Sequence, residues 1–299
     1  MLHVVGNACL DTTFRLARHP RAGETLNAES ASRDYGGKGL NQAVAAVRSG
    51  AETMFWTAVG VDAAGDDIAA LIEIEFADLA SITRLPHATD QSAILVSVED
   101  GDNRIVTAAA CAETYDPLVM TDLATRLRPG DILLMQGNLS TERTIACLEA
   151  ARRAGARALL NPSPIATMAA MPLALVDVLV LNRPEAEALT GESDPARAGQ
   201  ELIKRGAGSV VITLGAAGVI HVTAAGSMSV EASSVEAVDT SGAGDVFCGV
   251  LAGLMAQGRT IGDSLPFAAT AASMSVQRPG THASCPSRTE LRELLDLTA

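Results

Sequence analysis

The sequence predicts an α/β protein with a mainly parallel central sheet and a small, separate β element. Three observations carry this. From about residue 130, short apolar runs alternate with helical patterns, which implies strand–helix–strand crossovers. Two glycine clusters each open an amphipathic helix. A single Asp-Gly hairpin signal interrupts this order in the first half of the chain.

In chain order, Leu2–Val5 reads as a first strand, and Leu40, Ala43, Val44 and Val47 form one apolar helical face behind the first glycine cluster. Ala93–Val98 and Arg104–Ala108 flank Glu99-Asp100-Gly101-Asp102-Asn103 as an antiparallel hairpin, a candidate lid. Ile132–Gln136, Ala158–Asn161, Val178–Asn182 and Val210–Leu214 are buried strands. Between the first two of these, Thr141–Ala154 has helical spacing and stops at Gly155, a residue suited to the left-handed position after a helix. Glu185–Leu189 and Ala196–Arg205 supply further crossover helices, and Ala268–Ala272 reads as close-packed helix. The 299 residues are taken as one domain, 1–299, with lid segments at about 12–34 and 90–112.

Composition excludes several functions. Hydrophobic residues make up 48% of the chain and charged residues 19%, the balance of a folded protein. A formal charge of −13 opposes binding to nucleic acid or anionic lipid, whose phosphates need a positive surface. Cys9, Cys111, Cys147, Cys248 and Cys285 are scattered and odd in number, so they read as small buried hydrophobes, not as disulfides or a zinc site. The N-terminus has no basic segment followed by a long apolar stretch, and no run approaches the ~20 residues that span a bilayer. A cytoplasmic protein is expected.

The strongest chemical signal is Asp239-Thr240-Ser241-Gly242-Ala243-Gly244-Asp245, followed by Phe247, Val250, Leu251 and Leu254 at helical spacing. Small residues at a helix start leave backbone N–H groups uncovered, and the helix dipole adds positive potential, so the loop is an anion site. Asp245 in the first turn is too well stabilised to be a strong ground-state base. Phosphoryl transfer tolerates that, because the hydroxyl proton is wanted late. The second signal, Gly36-Gly37-Lys38-Gly39-Leu40-Asn41-Gln42-Ala43, again sets glycines before a helix. It is not a P-loop, and no Gly-x-Gly-x-x-Gly dinucleotide fingerprint is present. Asn182-Arg183-Pro184-Glu185 ends an apolar strand; taken alone it is a capping-box-like helix start, yet it lies where open α/β sheets bind ligands.

These elements, in this order, resemble the PfkB or ribokinase-like family of carbohydrate kinases. The likeness runs from Gly6 and Asp11 in the first-strand region through Gly23-Glu24-Thr25, the Gly36–Ala43 cluster, Asn161-Pro162, Asn182-x-x-Glu185 and Leu214-Gly215 to Asp239–Asp245. It implies a three-layer α/β/α fold with a small β lid used for homodimerisation, and transfer of the γ-phosphate of ATP to a hydroxyl of a small sugar-like substrate, with Mg²⁺. By position, Asp245 would be the catalytic base and Gly242, Ala243 and Gly244 the anion hole. Asp11, Gly37, Lys38, Asn41 and Asn138 would face the sugar. Asn182, Thr213, Gly215 and Gly218 would line the nucleotide site, with Glu185 organising Mg²⁺. Asp239, Ser241, Ser275, Gly280 and Ser284 would surround a monovalent cation, K⁺.

Two departures bear on substrate. Cys9 stands where ribokinases of the family have an Asn two residues before the sugar-binding Asp, and Asn138 follows the Leu-Leu-Met-Gln strand where they have a glutamate. Since a site built to bond a hydroxyl discriminates strongly against ligands lacking it, ribose is not assumed. A nucleoside kinase would want aromatic walls, and only Phe14, Tyr35 and Phe55 lie near the sugar-binding half. A sugar-phosphate acceptor would call on Arg15, Arg18, Arg33 or Arg104. A non-catalytic sugar or nucleotide sensor would be expected to have lost the base or the glycines, and all are present.

Overall fold

The computed structural model describes residues 1–99, 102–165 and 171–296. The first part of the chain forms β1 (Leu2–Val5), β2 (Cys9–Leu16), β3 (Ser30–Gly36), α1 (Lys38–Arg48), β4 (Thr53–Gly60), α2 (Ala63–Phe76), β5 (Ala80–Leu85), β6 (Gln91–Ser97) and β7 (Asn103–Ala108). Three short helices follow, α3 (Ala110–Thr114), α4 (Pro117–Met120) and α5 (Leu123–Arg126). The rest comprises β8 (Ile132–Gln136), α6 (Thr141–Ala154), β9 (Arg157–Asn161), β10 (Val178–Asn182), α7 (Arg183–Thr190), α8 (Pro195–Lys204), β11 (Ser209–Thr213), β12 (Val219–Thr223), β13 (Gly226–Val230), α9 (Ala243–Ala256), α10 (Ile261–Ser275) and α11 (Arg288–Asp296).

Nine strands form one sheet in the order β13-β12-β11-β10-β9-β8-β1-β4-β5. Pairing is parallel from β11 to β5, and β12 and β13 close one edge antiparallel. The apolar runs form its interior because both faces are covered: all five residues of β8 are buried. One face carries α1, α2, α9 and α10, the other α6 and α8, giving two cores and three layers. The chain moves from β1 to β4 and β5 on one side and returns with β8 on the other. The carboxyl ends of β1 and β8 therefore flank a topological switch point, where open α/β sheets bind ligands.

Two helices at this end are held unusually close. A Cβ on Gly249 of α9 would lie 2.2 Å from the Gln42 carbonyl oxygen of α1, so only glycine permits the approach. That contact sets the start of α9 beside Asn41 and Gln42.

The second sheet has the order β3-β2-β6-β7 and forms the lid. Its two hairpin-type pairings are antiparallel, while β2 and β6 run parallel. Asp11, read from sequence as part of the first-strand region, lies in β2 instead, because the chain leaves the main sheet after Val5. The lid strands also begin earlier than residue 12, at Cys9, and residues 110–112 belong to α3. The expected hairpin forms as β6 and β7; its Asp100-Gly101 step lies outside the described residues. Among the described residues no helix is long and apolar enough to cross a membrane, and all five cysteines are buried and unpaired.

Candidate active site

Gly242 caps α9 with φ of 77°, a left-handed conformation that side chains disfavour. The chain thus turns sharply into the helix, and Asp245 enters its first turn buried, its amide bonded back to the Gly242 carbonyl at 2.9 Å. Both carboxylate oxygens are engaged: Oδ1 accepts from Gln42 Nε2 at 2.9 Å and Oδ2 from Asn41 Nδ2 at 3.2 Å. Lys38 Nζ stands 3.9 Å from Oδ1. The attraction of Asp245 holds the Lys38 ammonium above its ordinary range against the opposing effect of burial, so Lys38 is a fixed positive charge.

The start of α1 is set by close approach. A Cβ on Gly39 would lie 2.6 Å from the Gly6 carbonyl carbon, and one on Gly37, whose φ is 97°, would lie 2.8 Å from the Asn7 carbonyl oxygen. Glycine therefore seats α1 on the end of β1 and delivers Lys38, Asn41 and Gln42 to Asp245.

Two clefts open beside this group, whose own side chains line neither of them. The first, about 310 Å³, is lined by Asp11, Arg15, Asp34, Asp239, Ser241 and Gly280 among others. Asp11 is buried, and its carboxyl is pushed upward by that burial and by the charges of Asp34 and Asp245, while hydrogen bonds from Cys9 and Ser92 offset part of the rise. Cys9 Sγ donates to Asp11 Oδ1 at 3.2 Å, and burial keeps the thiol protonated by raising it well above the ordinary thiol value. Asp34 Oδ2 accepts from the amides of Thr281 and Ala283, and Asp239 from those of Ser241 and Gly280. The second cleft, about 720 Å³, is lined by Asn182, Thr213, Gly215, Gly218, Ala243 and Gly244 together with apolar side chains such as Phe247. Ala237 and Thr240 line both clefts, so the two meet at the start of α9.

Across residues 1–288 the chain matches the family model described as pfkB family carbohydrate kinase. The chain belongs to the pfkB family of carbohydrate kinases. It is a phosphotransferase with an alcohol group as acceptor. It is 30% identical over 300 residues to a ribokinase of Haemophilus influenzae, covering 99% of this chain and 98% of that one. It is 29% identical to a deoxyribokinase of Salmonella typhi, with 98% of each covered. The solved ribokinase of Thermotoga maritima superposes with a TM-score of 0.89 at 29% identity, covering 99% of both chains. A ribokinase of Arabidopsis thaliana complexed with ribose and ATP gives 0.82 at 27%, covering 98% of both. The fold is thus ribokinase-like, as the sequence led us to expect.

Within this pfkB-family chain, the residues singled out from sequence fall in different places. Asp245, Asn41 and Lys38 meet at the start of α9, and Asp11, Asp239, Ser241 and Gly280 line the first cleft. Asn182, Thr213, Gly215 and Gly218 line the second. Asn182 and Glu185 do form a capping box, with Asn182 Oδ1 accepting from the Glu185 amide at 2.8 Å and Glu185 Oε2 from the Asn182 amide at 2.9 Å. Ser275 and Ser284 are fully buried, and their hydroxyls donate to the carbonyls of Ala272 and Thr281. Asn138 lines neither cleft, yet its Oδ1 is buried without a partner.

Sequence reasoning gave no role to Gln136, Gln42 or Asn161, which meet behind Asp245, nor to Asp34. A glutamine ending an otherwise apolar strand was the available signal for Gln136.

Proposed function

We propose that this kinase transfers the γ-phosphoryl group of ATP to a hydroxyl of a small, unphosphorylated sugar, with Asp245 accepting the hydroxyl proton. The observation that carries this is the position of Asp245 beside the junction of two clefts of unlike chemistry. Gly244, its neighbour, lines the larger cleft, and Asp11, which feels its charge, lines the smaller. The larger cleft suits a nucleotide: an apolar wall for a base, with backbone and small residues at Thr213, Gly215 and Gly218. The amides of Gly242, Ala243 and Gly244 would face the transferring phosphoryl, where the α9 dipole favours negative charge.

The smaller cleft suits a neutral polyol. Asp11, Asp34 and Asp239 line it with Arg15 as the one cation among its described lining residues, a poor match for a second phosphate. Its described lining also contains no aromatic side chain, which disfavours a nucleoside. Asp11 would accept from one sugar hydroxyl, and Asn41, whose Oδ1 is buried without a donor, would accept from another. The hydroxyl to be phosphorylated would lie against Asp245, held by Gly37 and Lys38 on its other side.

Glu185 and Asn182 would hold Mg²⁺. Glu185 has one carboxylate oxygen left over from the capping box, and its charge reaches Lys38. Magnesium bound there supplies charge neutralisation on the phosphates. Asp239, Ser241, Ser275, Gly280 and Ser284 would surround K⁺. These residues offer oxygen atoms only, and Asp239 is the one carboxylate among them, a set that suits a hard, singly charged cation. The exposed edge strand β7, with Ile105 and Val106 outward, is the surface on which a lid-mediated homodimer would form.

The test is ATP-dependent ADP release with Mg²⁺ and K⁺ across pentoses, deoxypentoses, hexoses, sugar phosphates and nucleosides. A signal confined to unphosphorylated sugars is expected. A signal confined to nucleosides or sugar phosphates would overturn the acceptor assignment.

A further inference from the structure

We propose that Gln136, Gln42 and Asn161 form a positioning relay that holds the Asp245 carboxylate in its reactive orientation, with the direction of the relay fixed by one backbone carbonyl. The proposal rests on the reading of Asp245 as proton acceptor. Gln42 is fully buried at the start of α1. Its Nε2 donates to Asp245 Oδ1 at 2.9 Å and to Asn161 Oδ1 at 3.0 Å, and its Oε1 accepts from Gln136 Nε2 at 2.9 Å. A primary amide turned by half a revolution exchanges donor for acceptor with almost no change of shape. Turned that way, Gln42 would set its oxygen against the carboxylate. Something must forbid the turn.

The direction is set at the far end. Asn161 Nδ2 donates to the Val180 carbonyl of β10 at 3.0 Å, a group that can only accept. Asn161 must therefore present its oxygen to Gln42, and Gln42 must present its nitrogen to both Asn161 and Asp245. The Gln42 oxygen then faces Gln136, which must supply its own nitrogen. One acceptor-only carbonyl thus orients three amides in series, drawn from β9, α1 and β8, around a carboxylate on α9. Gln136 is 1% exposed, and its Oε1 is buried without a partner. A Cβ on Gly6 would lie 2.0 Å from that oxygen, so only glycine at position 6 leaves room for the Gln136 amide. A buried acceptor without a donor costs stability, and an apolar side chain of this size would remove that acceptor only by giving up the hydrogen bond to Gln42 Oε1. Its retention beside the reacting carboxylate is what a positioning role explains.

The experiment measures kcat, both KM values and melting temperature for Gln136→Glu, Gln136→Met and Asp245→Asn in the full-length protein, on the sugar that releases most ADP. Gln136→Glu keeps the size but, when ionised, offers no donor, so at a pH where the new carboxyl is charged the Gln42 amide turns toward it and its oxygen confronts Asp245. Misplacing a reacting group by about 1 Å costs about 10²-fold, so kcat should fall about 100-fold in Gln136→Glu and about tenfold in Gln136→Met, with KM for ATP within about twofold of wild type. Gln136→Met should melt near the wild-type temperature, since it removes one unpartnered acceptor, Gln136 Oε1, and leaves another, Gln42 Oε1, without its donor. It decides the matter should Gln136→Glu fail to fold. Wild-type kcat in Gln136→Met, or a fall in kcat that only tracks a lowered melting temperature, would overturn the relay. If Asp245→Asn is inactive in that case, the proton-acceptor reading stands without it. Wild-type kcat in Asp245→Asn would instead overturn the proton-acceptor reading itself.

Discussion

The two clefts that meet at the start of α9 are made of different materials. The larger is backbone and small or apolar residues, with Gly215, Gly218, Ala243 and Gly244 bringing main chain close to whatever binds. The smaller is side-chain chemistry, with Asp11 bonded to Cys9 and Asp34 and Asp239 tying down the 280–284 loop; beside it, Asp245 is locked by two amides. A cleft of backbone recognises a ligand through amides and dipoles that any sequence carries, so it tolerates changes of chemistry and fails on added bulk. A cleft of interlocked side chains tolerates little change of chemistry, because each lost group strands a buried partner.

The sharpest break of this contrast is at Asp245. Asp245→Asn keeps the shape and removes the proton acceptor, so kcat should fall by about 10²–10⁴ with KM for ATP nearly unchanged, measured by steady-state ADP release. Next is Asp11→Asn. Losing hydrogen bonds to a charged acceptor costs about 1.5–3 kcal/mol, so acceptor kcat/KM should fall about 10–100-fold, again with KM for ATP unchanged. The sign of the pH effect follows from the raised Asp11 carboxyl. As pH falls toward that raised value the carboxylate gains a proton and acceptor binding weakens in the wild type, while Asp11→Asn should lack this acidic loss.

Bulk is the test for the other cleft. A Cβ on Gly244 would meet nothing within 4 Å, so Gly244→Val should fold normally and fill nucleotide space. At an overpacking cost of about 1–3 kcal/mol, KM for ATP should rise about tenfold or more while acceptor KM holds. The smallest effect on activity is expected at Glu75, which lies outside both clefts and anchors the loop behind the smaller one. Burial raises its carboxyl, but hydrogen bonds from His282 and Arg48 outweigh this and hold it at about 2. A depressed carboxyl stabilises the fold above the ordinary glutamate range, and the contribution is lost as pH falls from about 4.5 toward 2. Glu75→Gln should cost about 2 kcal/mol near neutrality and flatten this acidic dependence, read by chemical denaturation across pH.

Much of the frame was legible because it is written in local patterns. Apolar runs fixed the strands from β8 to β11, Gly155 ended α6 in the left-handed position expected of it, and the glycine clusters announced the starts of α1 and α9. What escaped was long-range. Asp11 belongs to the lid because the chain leaves the main sheet after four residues, and a boundary that short has no periodicity to mark it. Gln42, Gln136 and Asn161 are drawn together from positions 94 and 119 residues apart, and the direction of each amide depends on the carbonyl of Val180. Arg48, Glu75 and His282 likewise meet only after folding.

The measurement that bears most directly on the central claim is the structure of the protein with its sugar and a non-hydrolysable ATP analogue. The account predicts one sugar hydroxyl within hydrogen-bond reach of Asp245, about 2.6–3.2 Å, with the terminal phosphate over the amides of Gly242 to Gly244 and Asp11 bonded to a second hydroxyl. A sugar bound with no hydroxyl near Asp245, or a terminal phosphate directed away from the start of α9, would contradict it.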